Sequence, residues 1–81
     1  MNSLFLSHIK ELMWTQRYSK RTIEAYLYWI KAYINFNNKR HPSTCHDHEV
    51  EAFLSHLSNV INVAPKTQAL ALNSVSFMYK H

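Results

Sequence analysis

Glycine is absent from this 81-residue chain, and cysteine and proline are scarce, with one and two residues. Without glycine the chain cannot hold a glycine-dependent catalytic motif such as G-x-S-x-G. The single cysteine, Cys45, cannot form an internal disulfide, which favours a reducing compartment. This composition fits helices joined by short turns.

Long apolar segments are missing as well. The sequence has no run of about 18 apolar residues, the length that a membrane span requires. The start Met1–Ser3 lacks the basic and apolar segments of a signal peptide. We therefore expect a cytoplasmic protein without a membrane partner, and a length that fits one small domain.

Catalytic and metal-binding patterns are weak. No pair of carboxylates is placed for acid–base work, so we do not expect a stand-alone enzyme or a small-molecule substrate. Spacing typical of zinc ligands occurs at one place, in His41, Cys45, His46 and His48. Structural zinc sites usually take ligand pairs from two elements, and no second pair is present. A polar loop that begins a helix is the favoured interpretation, and neither a metal nor a cofactor is expected.

Positive charge is concentrated in the first half of the chain. Residues 1–41 contain seven Lys and Arg against two Glu, a balance of +5, whereas residues 42–81 hold two Lys against three acidic residues, a balance of −1. This asymmetry favours a polyanionic partner, although a net charge of +4 is also common in proteins that bind no polyanion.

Four segments show the apolar spacing of helices. They cover residues 3–14, 19–38, 46 or 47 to 60, and 65 onwards. The inward positions of the first two segments are Phe5, Ile9, Leu12 and Met13, and Ile23, Tyr26, Leu27, Ile30, Tyr33, Ile34 and Asn37. Those of the third and fourth segments are Val50, Phe53, Leu54 and Leu57, and Leu72, Val75, Met78 and Tyr79. Ser3 and Ser19 are predicted N-caps of the first two helices. Pro65 suits the first position of the fourth helix, and Ala64 before it is a poor cap.

The second helix carries basic residues at both ends. Arg17, Lys20 and Arg21 lie at its start, and Lys39, Arg40 and His41 at its end. A helix of about 19 residues separates these ends by about 28 Å, or roughly eight base pairs of duplex. This spacing suggests phosphate-binding groups held at two points on DNA.

Most aromatic residues are predicted to lie in the core. Tyr26 and Tyr33 follow the helical stripe, and Phe53 and Phe77 belong to the same group. Three rings outside the stripes are predicted to be partly exposed: Trp14, Tyr18 and Tyr28. Among them Tyr18, next to the first basic cluster, is the best candidate for a hydrogen bond to phosphate.

Several runs of residues together resemble the core-binding domain of tyrosine recombinases, of the phage integrase type. They are RYSKRTIEAY at 17–26, WI at 29–30, KRHP at 39–42, EVEAFLSHL at 49–57, NVA at 62–64, TQ at 67–68 and FMY at 77–79. Their order and spacing cover about residues 3–80 and are most similar to the integron integrase branch. Each run alone is weakly specific.

The resemblance implies an all-α, four-helix SAM-like orthogonal bundle that forms half of a clamp on a recombination site. Residues 1–81 are then a single core-binding domain, and the catalytic domain of the recombinase would follow it. The fourth helix pattern reaches His81 without a stop signal, which also favours a piece of a larger protein. This domain would bind DNA without cutting it, and its other partners would be further recombinase subunits.

The resemblance also implies the DNA-binding residues. They are Tyr18, Ser19, Lys20, Arg21 and Thr22, then Lys39, Arg40 and His41, then Lys66, Thr67 and Gln68. Several of them can bind phosphate, and Arg21 or Gln68 could reach a base edge.

The sequence departs from the family pattern in two ways. Ala69 and Leu70 stand where relatives tend to have polar residues, which reduces sequence readout by the fourth helix. His46 replaces a small or hydroxyl residue at the start of the third helix, which leaves capping to Thr44 or Asp47.

A helical protein-interaction or oligomerisation domain is the alternative, because SAM-like bundles also serve this purpose. An exposed apolar patch including Trp14, Ala69 and Leu70 would favour a protein partner. Basic side chains that lie close together on one surface would favour DNA, namely Lys20, Arg21, Lys39 and Lys66.

Overall fold

The computed structural model describes residues 3–81, without the side chain of Ser3, and contains four α-helices. They are α1 (Ser3–Thr15), α2 (Lys20–Phe36), α3 (Asp47–His56) and α4 (Pro65–Lys80). A 3₁₀ turn, Pro42–Thr44, precedes α3, and a π-helical turn, Leu57–Ile61, continues it. The described part contains no strand, and the predicted all-α, four-helix, SAM-like class is confirmed.

The first helix follows its predicted apolar stripe. Ile9 and Met13 are fully buried, and Phe5 and Leu12 pack partly buried against the core. The predicted cap by Ser3 concerns a side chain outside the part that the structure describes. None of the helices in residues 3–81 has the length and apolar character needed to cross a bilayer.

The second helix forms as its pattern predicts. Ser19 is the N-cap, and its hydroxyl accepts a hydrogen bond from the Thr22 N–H at 3.2 Å. The predicted inward residues are all buried or partly buried, including Asn37, whose side chain donates to the Tyr33 carbonyl at 3.0 Å. The helix ends at Phe36, close to the predicted end.

The start of α3 corrects the prediction that Thr44 or Asp47 caps it. His46 is the N-cap residue, and its own N–H donates to Oε1 of Glu49 at 2.7 Å. Asp47 is already the first helical residue, and the Thr44 hydroxyl donates back to the His41 carbonyl at 2.8 Å. Glu49 reaches the N-cap because a residue at the third helical position lies beside it.

The end of α3 also differs from the prediction of a plain α-helix to Val60. The α-helix ends at His56, and the next five residues, Leu57–Ile61, form a π-helical turn. The chain leaves this turn through Asn62 in the left-handed conformation, and the Val63 N–H reaches back to the Leu57 carbonyl at 3.0 Å. Asn is the non-glycine residue that adopts this conformation most readily, so it can end the helix in a chain without glycine.

The buried face of α4 is only partly the predicted one. Val75 and Met78 are buried, but Leu72 is 42% exposed, so its assignment to the core was wrong. Ala71 and Ser74 lie on the buried face instead. Small side chains there allow close packing, and the Ser74 hydroxyl donates to the Leu70 carbonyl at 2.8 Å.

The core lies where α4 crosses α2 with α3 packed beside them. The Tyr33 ring contacts Phe53 of α3 and Tyr79 of α4, at centroid distances of 5.4 and 6.0 Å. Nearer the start of α2, Phe77 contacts both Tyr26 and Tyr18. The predicted core positions of Tyr26, Tyr33, Phe53 and Phe77 are confirmed, as is the exposure of Trp14, Tyr18 and Tyr28. Tyr79, predicted on the inward face of α4, is 41% exposed, so its assignment to the core was wrong.

Candidate nucleic-acid interface

The first basic set follows a tight turn between α1 and α2. The Tyr18 N–H donates to the Met13 carbonyl and the Arg17 N–H to the Trp14 carbonyl, each at 3.0 Å. This pairing is a Schellman motif with Arg17 in the left-handed conformation, at φ 63°. The turn therefore places the Arg17 side chain in solvent just before α2 begins.

The polar residues of this set are used partly for folding. The Ser19 hydroxyl donates to the Thr22 hydroxyl at 2.9 Å while it caps α2. The Tyr18 ring packs between Tyr26 and Phe77 and is only partly exposed. Lys20 and Arg21 are exposed, and in the described chain neither has a carboxylate within 4.0 Å.

The second basic set begins with another left-handed turn at the end of α2. Asn38 and Lys39 have φ values of 58° and 62°, and the Lys39 N–H donates to the Ile34 carbonyl at 2.9 Å. Lys39 is exposed and has no acidic partner among residues 4–81.

The neighbouring Arg40 and His41 hold the loop that follows. Arg40 donates to the Thr44 carbonyl at 2.6 Å and lies 3.9 Å from Oε2 of Glu49. The ring of His41 accepts from the Ser43 N–H at 3.1 Å and packs edge-on against Phe5 at 5.0 Å. The side chains of these two residues are exposed but already have partners within the chain, whereas the Lys39 side chain has none among the described residues.

The third set lies at the start of α4. No side chain caps this helix, Pro65 has no N–H, and the N–H groups of Lys66 and Thr67 make no hydrogen bond within the described residues. Such a helix start favours an anion. The exposed Lys66 side chain adds a full positive charge beside it.

Gln68 has a different environment from the one predicted. Its amide nitrogen donates to the Leu54 carbonyl of α3 at 2.8 Å, and its amide oxygen is buried without a partner among the described residues. The side chain therefore ties the start of α4 to the end of α3. Contact of Gln68 with a base edge stays a prediction.

The three basic sets lie at separate places in the fold, namely the start of α2, the end of α2 and the start of α4. α2 has 17 residues, so its ends lie about 25 Å apart. In the described chain no hydrogen bond or ion pair joins one set to another. Of the nine Lys and Arg, all exposed, only Arg40 has a carboxylate within 4.0 Å among the residues that the structure describes, which leaves eight positive charges without an ion-pair partner there.

A pair of tyrosines fixes the loop of the second basic set to the core. The hydroxyls of Tyr33 and Tyr79 lie 2.8 Å apart, and the Tyr79 hydroxyl donates to the Pro42 carbonyl at 2.9 Å. Burial, together with the hydrogen bond that Tyr33 donates to the Tyr79 hydroxyl, raises the pKa of Tyr33 far above its usual range, and burial also raises the pKa of Tyr79. Both phenols stay protonated near neutral pH and act as hydrogen-bonding groups.

The His- and Cys-containing loop forms a 3₁₀ turn and the start of α3, as the favoured interpretation predicts. Cys45 is buried, whereas His46 and His48 are exposed. Within the residues that the structure describes, no three His, Cys, Asp or Glu side chains are placed to hold a metal ion. An open groove of about 850 Å³ runs from this loop between α3 and α4, past Glu51 and Leu72.

Sequence reasoning missed the two basic residues in left-handed turns and the exposed π-helical turn. The absence of glycine was the signal for these turns. Many helices end in a left-handed residue, usually glycine, and in a chain without glycine another residue type must take that position. The third helix was predicted to end at Val60, and the exposure of Val60 and the adjacent Ile61, at 68% and 56%, was not predicted. Their signal is a pair of large apolar residues directly before Asn62.

The sequence family described as phage integrase, N-terminal SAM-like domain, matches residues 4–81. This chain belongs to that family. It is also 42% identical over 74 residues to a protein named integrase/recombinase from Escherichia coli, and equally to one of the same name from Pseudomonas aeruginosa. In both cases the match covers 91% of this chain and 22% of the relative, so the integrase domain spans about a fifth of these relatives. The predicted membership of the tyrosine recombinase or phage integrase family is confirmed at this level.

Proposed function

We propose that this chain is the DNA-binding core-binding domain of a site-specific recombinase of the integron or phage integrase type. It would hold the recombination site, without cutting it, while a separate catalytic domain performs strand transfer. The observation that carries this proposal is the set of eight exposed Lys and Arg that form no ion pair within residues 3–81, on a domain of the integrase family. Its partners would be DNA and further recombinase subunits, and it would work in the cytoplasm.

The proposal treats residues 1–81 as one domain of a longer recombinase. The family match over nearly the whole chain and the 22% coverage of the relatives support it. The integron branch rests on the sequence runs described above, because the relatives are named only as integrase/recombinase.

The proposed DNA-binding surface uses two kinds of residue. Free cations bind phosphate, namely Lys20, Arg21, Lys39 and Lys66. Six residues with partners in the chain add hydrogen bonds at the edge of this surface or hold its backbone, namely Tyr18, Ser19, Thr22, Arg40, His41 and Gln68. The partly exposed Thr67 adds its hydroxyl and N–H at the start of α4. The two kinds predict different effects on salt dependence, because only a lost cation–phosphate contact changes the release of counterions.

The salt dependence of DNA binding tests the proposal. In the double variant Lys20→Ala/Arg21→Ala we expect the slope of log affinity against log salt to fall in magnitude by roughly 1.8, at about 0.9 for each lost phosphate contact. Binding is measured by fluorescence anisotropy on a labelled duplex at several salt concentrations. The wild-type dissociation constant for non-cognate duplex is expected at about 10⁻⁴–10⁻⁶ M.

The matched control is Lys10→Ala/Lys31→Ala, which removes the same charge from exposed positions on α1 and mid-α2. We expect a smaller change of slope in this control. An equal change in both double variants would show a diffuse charge effect and contradict a defined phosphate-binding end of α2. Absence of wild-type binding to any duplex would contradict the proposed function itself.

A further inference from the structure

Two large apolar side chains project into solvent where α3 ends. Leu57, the first residue of the π-helical turn, is buried, but Val60 and Ile61 at its end are 68% and 56% exposed. Ala64 and Pro65, which follow after two residues, are exposed as well. We call these four exposed residues the apolar tip. Leaving them in water gives up the free energy that burial of apolar surface provides.

The backbone around the apolar tip is fixed. The N–H groups of Asn62 and Val63 both donate to the Leu57 carbonyl, which closes the turn. The Gln68 side chain then ties the first turn of α4 to the Leu54 carbonyl. The apolar side chains are therefore presented on a preorganised support, which lowers the entropy lost on binding.

The charge around the apolar tip indicates the kind of partner. No Asp or Glu occurs after Glu51, and residues 52–81 contain two Lys as their only fully charged side chains. Lys66 directly follows Pro65 and has no acidic partner within the described residues. An apolar surface beside a free cation, in a segment without carboxylates, is complementary to a polyanion that also offers an apolar group.

DNA offers such a group at the base edges. The C5-methyl group of thymine is apolar, lies in the major groove, and contacts apolar side chains in protein–DNA complexes. We propose that the apolar tip contacts thymine C5-methyl groups in the major groove of bound DNA, while Lys66 binds a neighbouring phosphate. This inference rests on the proposed DNA binding and adds a sequence preference that needs no hydrogen bond to a base.

Replacing thymine by deoxyuridine tests the inference, because it removes the methyl group and keeps base pairing and charge. The probes are an alternating A·T duplex and the matching duplex in which every thymine is deoxyuridine. We expect the wild-type chain to bind the thymine duplex roughly fourfold more tightly for each methyl group it buries, at about 0.8 kcal/mol per buried carbon.

Two variants separate the roles of the apolar tip and the cation. Val60→Ala/Ile61→Ala is expected to bind the two duplexes equally, because the side chains that cover the methyl groups are shortened. Lys66→Ala is expected to weaken binding to both duplexes by the same factor and to keep the preference for thymine. All three positions are exposed, so both variants are expected to fold, which circular dichroism checks.

The outcomes distinguish this inference from the proposed function. Equal binding of both duplexes by the wild-type chain, with a measurable affinity, overturns the methyl contact and leaves DNA binding standing. A thymine preference that survives in Val60→Ala/Ile61→Ala also overturns it. If the wild-type chain sediments as a dimer and this double variant as a monomer, the apolar tip binds a second copy of the chain and the inference is wrong. Failure to bind either duplex refutes the inference together with the proposed function.

Discussion

Arg17 adopts an unfavourable backbone conformation and at the same time contributes a positive charge to the surface. It adopts the left-handed conformation at φ 63° to end α1, at a position where helices usually place glycine. A residue with a Cβ atom pays about 1 kcal/mol for this conformation. Lys39 repeats the arrangement at the end of α2, so two basic residues occupy turns that glycine would favour.

Replacing Arg17 with glycine is expected to raise the free energy of unfolding by about 1 kcal/mol, because glycine enters the left-handed conformation without the Cβ clash. Urea denaturation monitored by circular dichroism measures the change as a higher midpoint at constant m-value. Lys31→Gly is the matched control, since it removes the same charge from the middle of α2 and is expected to cost about 1 kcal/mol. A lower stability of Arg17→Gly would show that the arginine side chain stabilises the turn.

Glu49 links the start of α3 to the loop before it. Its carboxylate accepts the His46 N–H, and this hydrogen bond, followed by the one from its own N–H and the nearby Arg40 and His48 charges, lowers the pKa of Glu49. A carboxyl group whose pKa is lowered in the folded state stabilises the fold when the pH is above the group's ordinary pKa, which is 4.5 for Glu49. This stabilisation is lost as the pH falls through the folded-state pKa.

Glu49→Gln is therefore expected to melt at a lower temperature than the wild-type chain at pH 7. The difference should shrink as the pH is lowered below about 4.5, because wild-type Glu49 then loses its charge too. Thermal denaturation at a series of pH values measures it. Glu51→Gln, on the same helix and without a hydrogen bond or ion pair in the described chain, is the control. A difference that stays constant down to pH 3 would mean that the charge of Glu49 does not stabilise the helix start.

At the scale of the elements, patterns local to one segment predict well. Ser19 caps α2 as expected from its place before the stripe, and Pro65 begins α4 because its missing N–H is harmless there. Capping of α3 was mispredicted because His46 contributes through its backbone, with Glu49 as the acceptor. The side-chain type of His46 gives no sign of this arrangement.

The π-helical turn is the element that sequence patterns did not predict. The apolar stripe of α3 continues to Leu57, and nothing in residue type distinguishes an α-turn from a wider turn after it. Leu57 at its start is buried against the core, and Asn62 just after it adopts the left-handed conformation. In this geometry Val60 and Ile61 are exposed, and they form part of the apolar tip.

At the scale of the whole molecule, Tyr79 joins three parts of the fold. Its ring packs on Tyr33 of α2, and its hydroxyl lies between the Tyr33 hydroxyl and the Pro42 carbonyl. The loop that carries Arg40 and His41 is thereby anchored to α4. This anchor sets the position of the second basic set relative to the core.

Tyr79→Phe is expected to lower the free energy of unfolding by about 1–3 kcal/mol, because it leaves the Tyr33 hydroxyl and the Pro42 carbonyl without their shared partner. Chemical denaturation measures the loss. Tyr28→Phe removes a hydroxyl from a side chain that is 64% exposed and is expected to change stability by less than about 0.5 kcal/mol. Equal stabilities of the two variants would show that the tyrosine pair adds nothing to the fold.

By itself the sequence determined the helices, their inward faces along α1 and α2, and the basic ends of α2, because these depend on spacing and charge within one segment. The tertiary structure decided which cations stay free: Arg40 lies near Glu49, and Lys20, Arg21 and Lys39 do not meet a carboxylate in the described chain. The tertiary structure also decided that Leu72 is exposed, that the Gln68 side chain donates to the Leu54 carbonyl, and that the Tyr79 hydroxyl donates to the Pro42 carbonyl. These outcomes depend on how helices cross, and residues far apart in the chain determine that together.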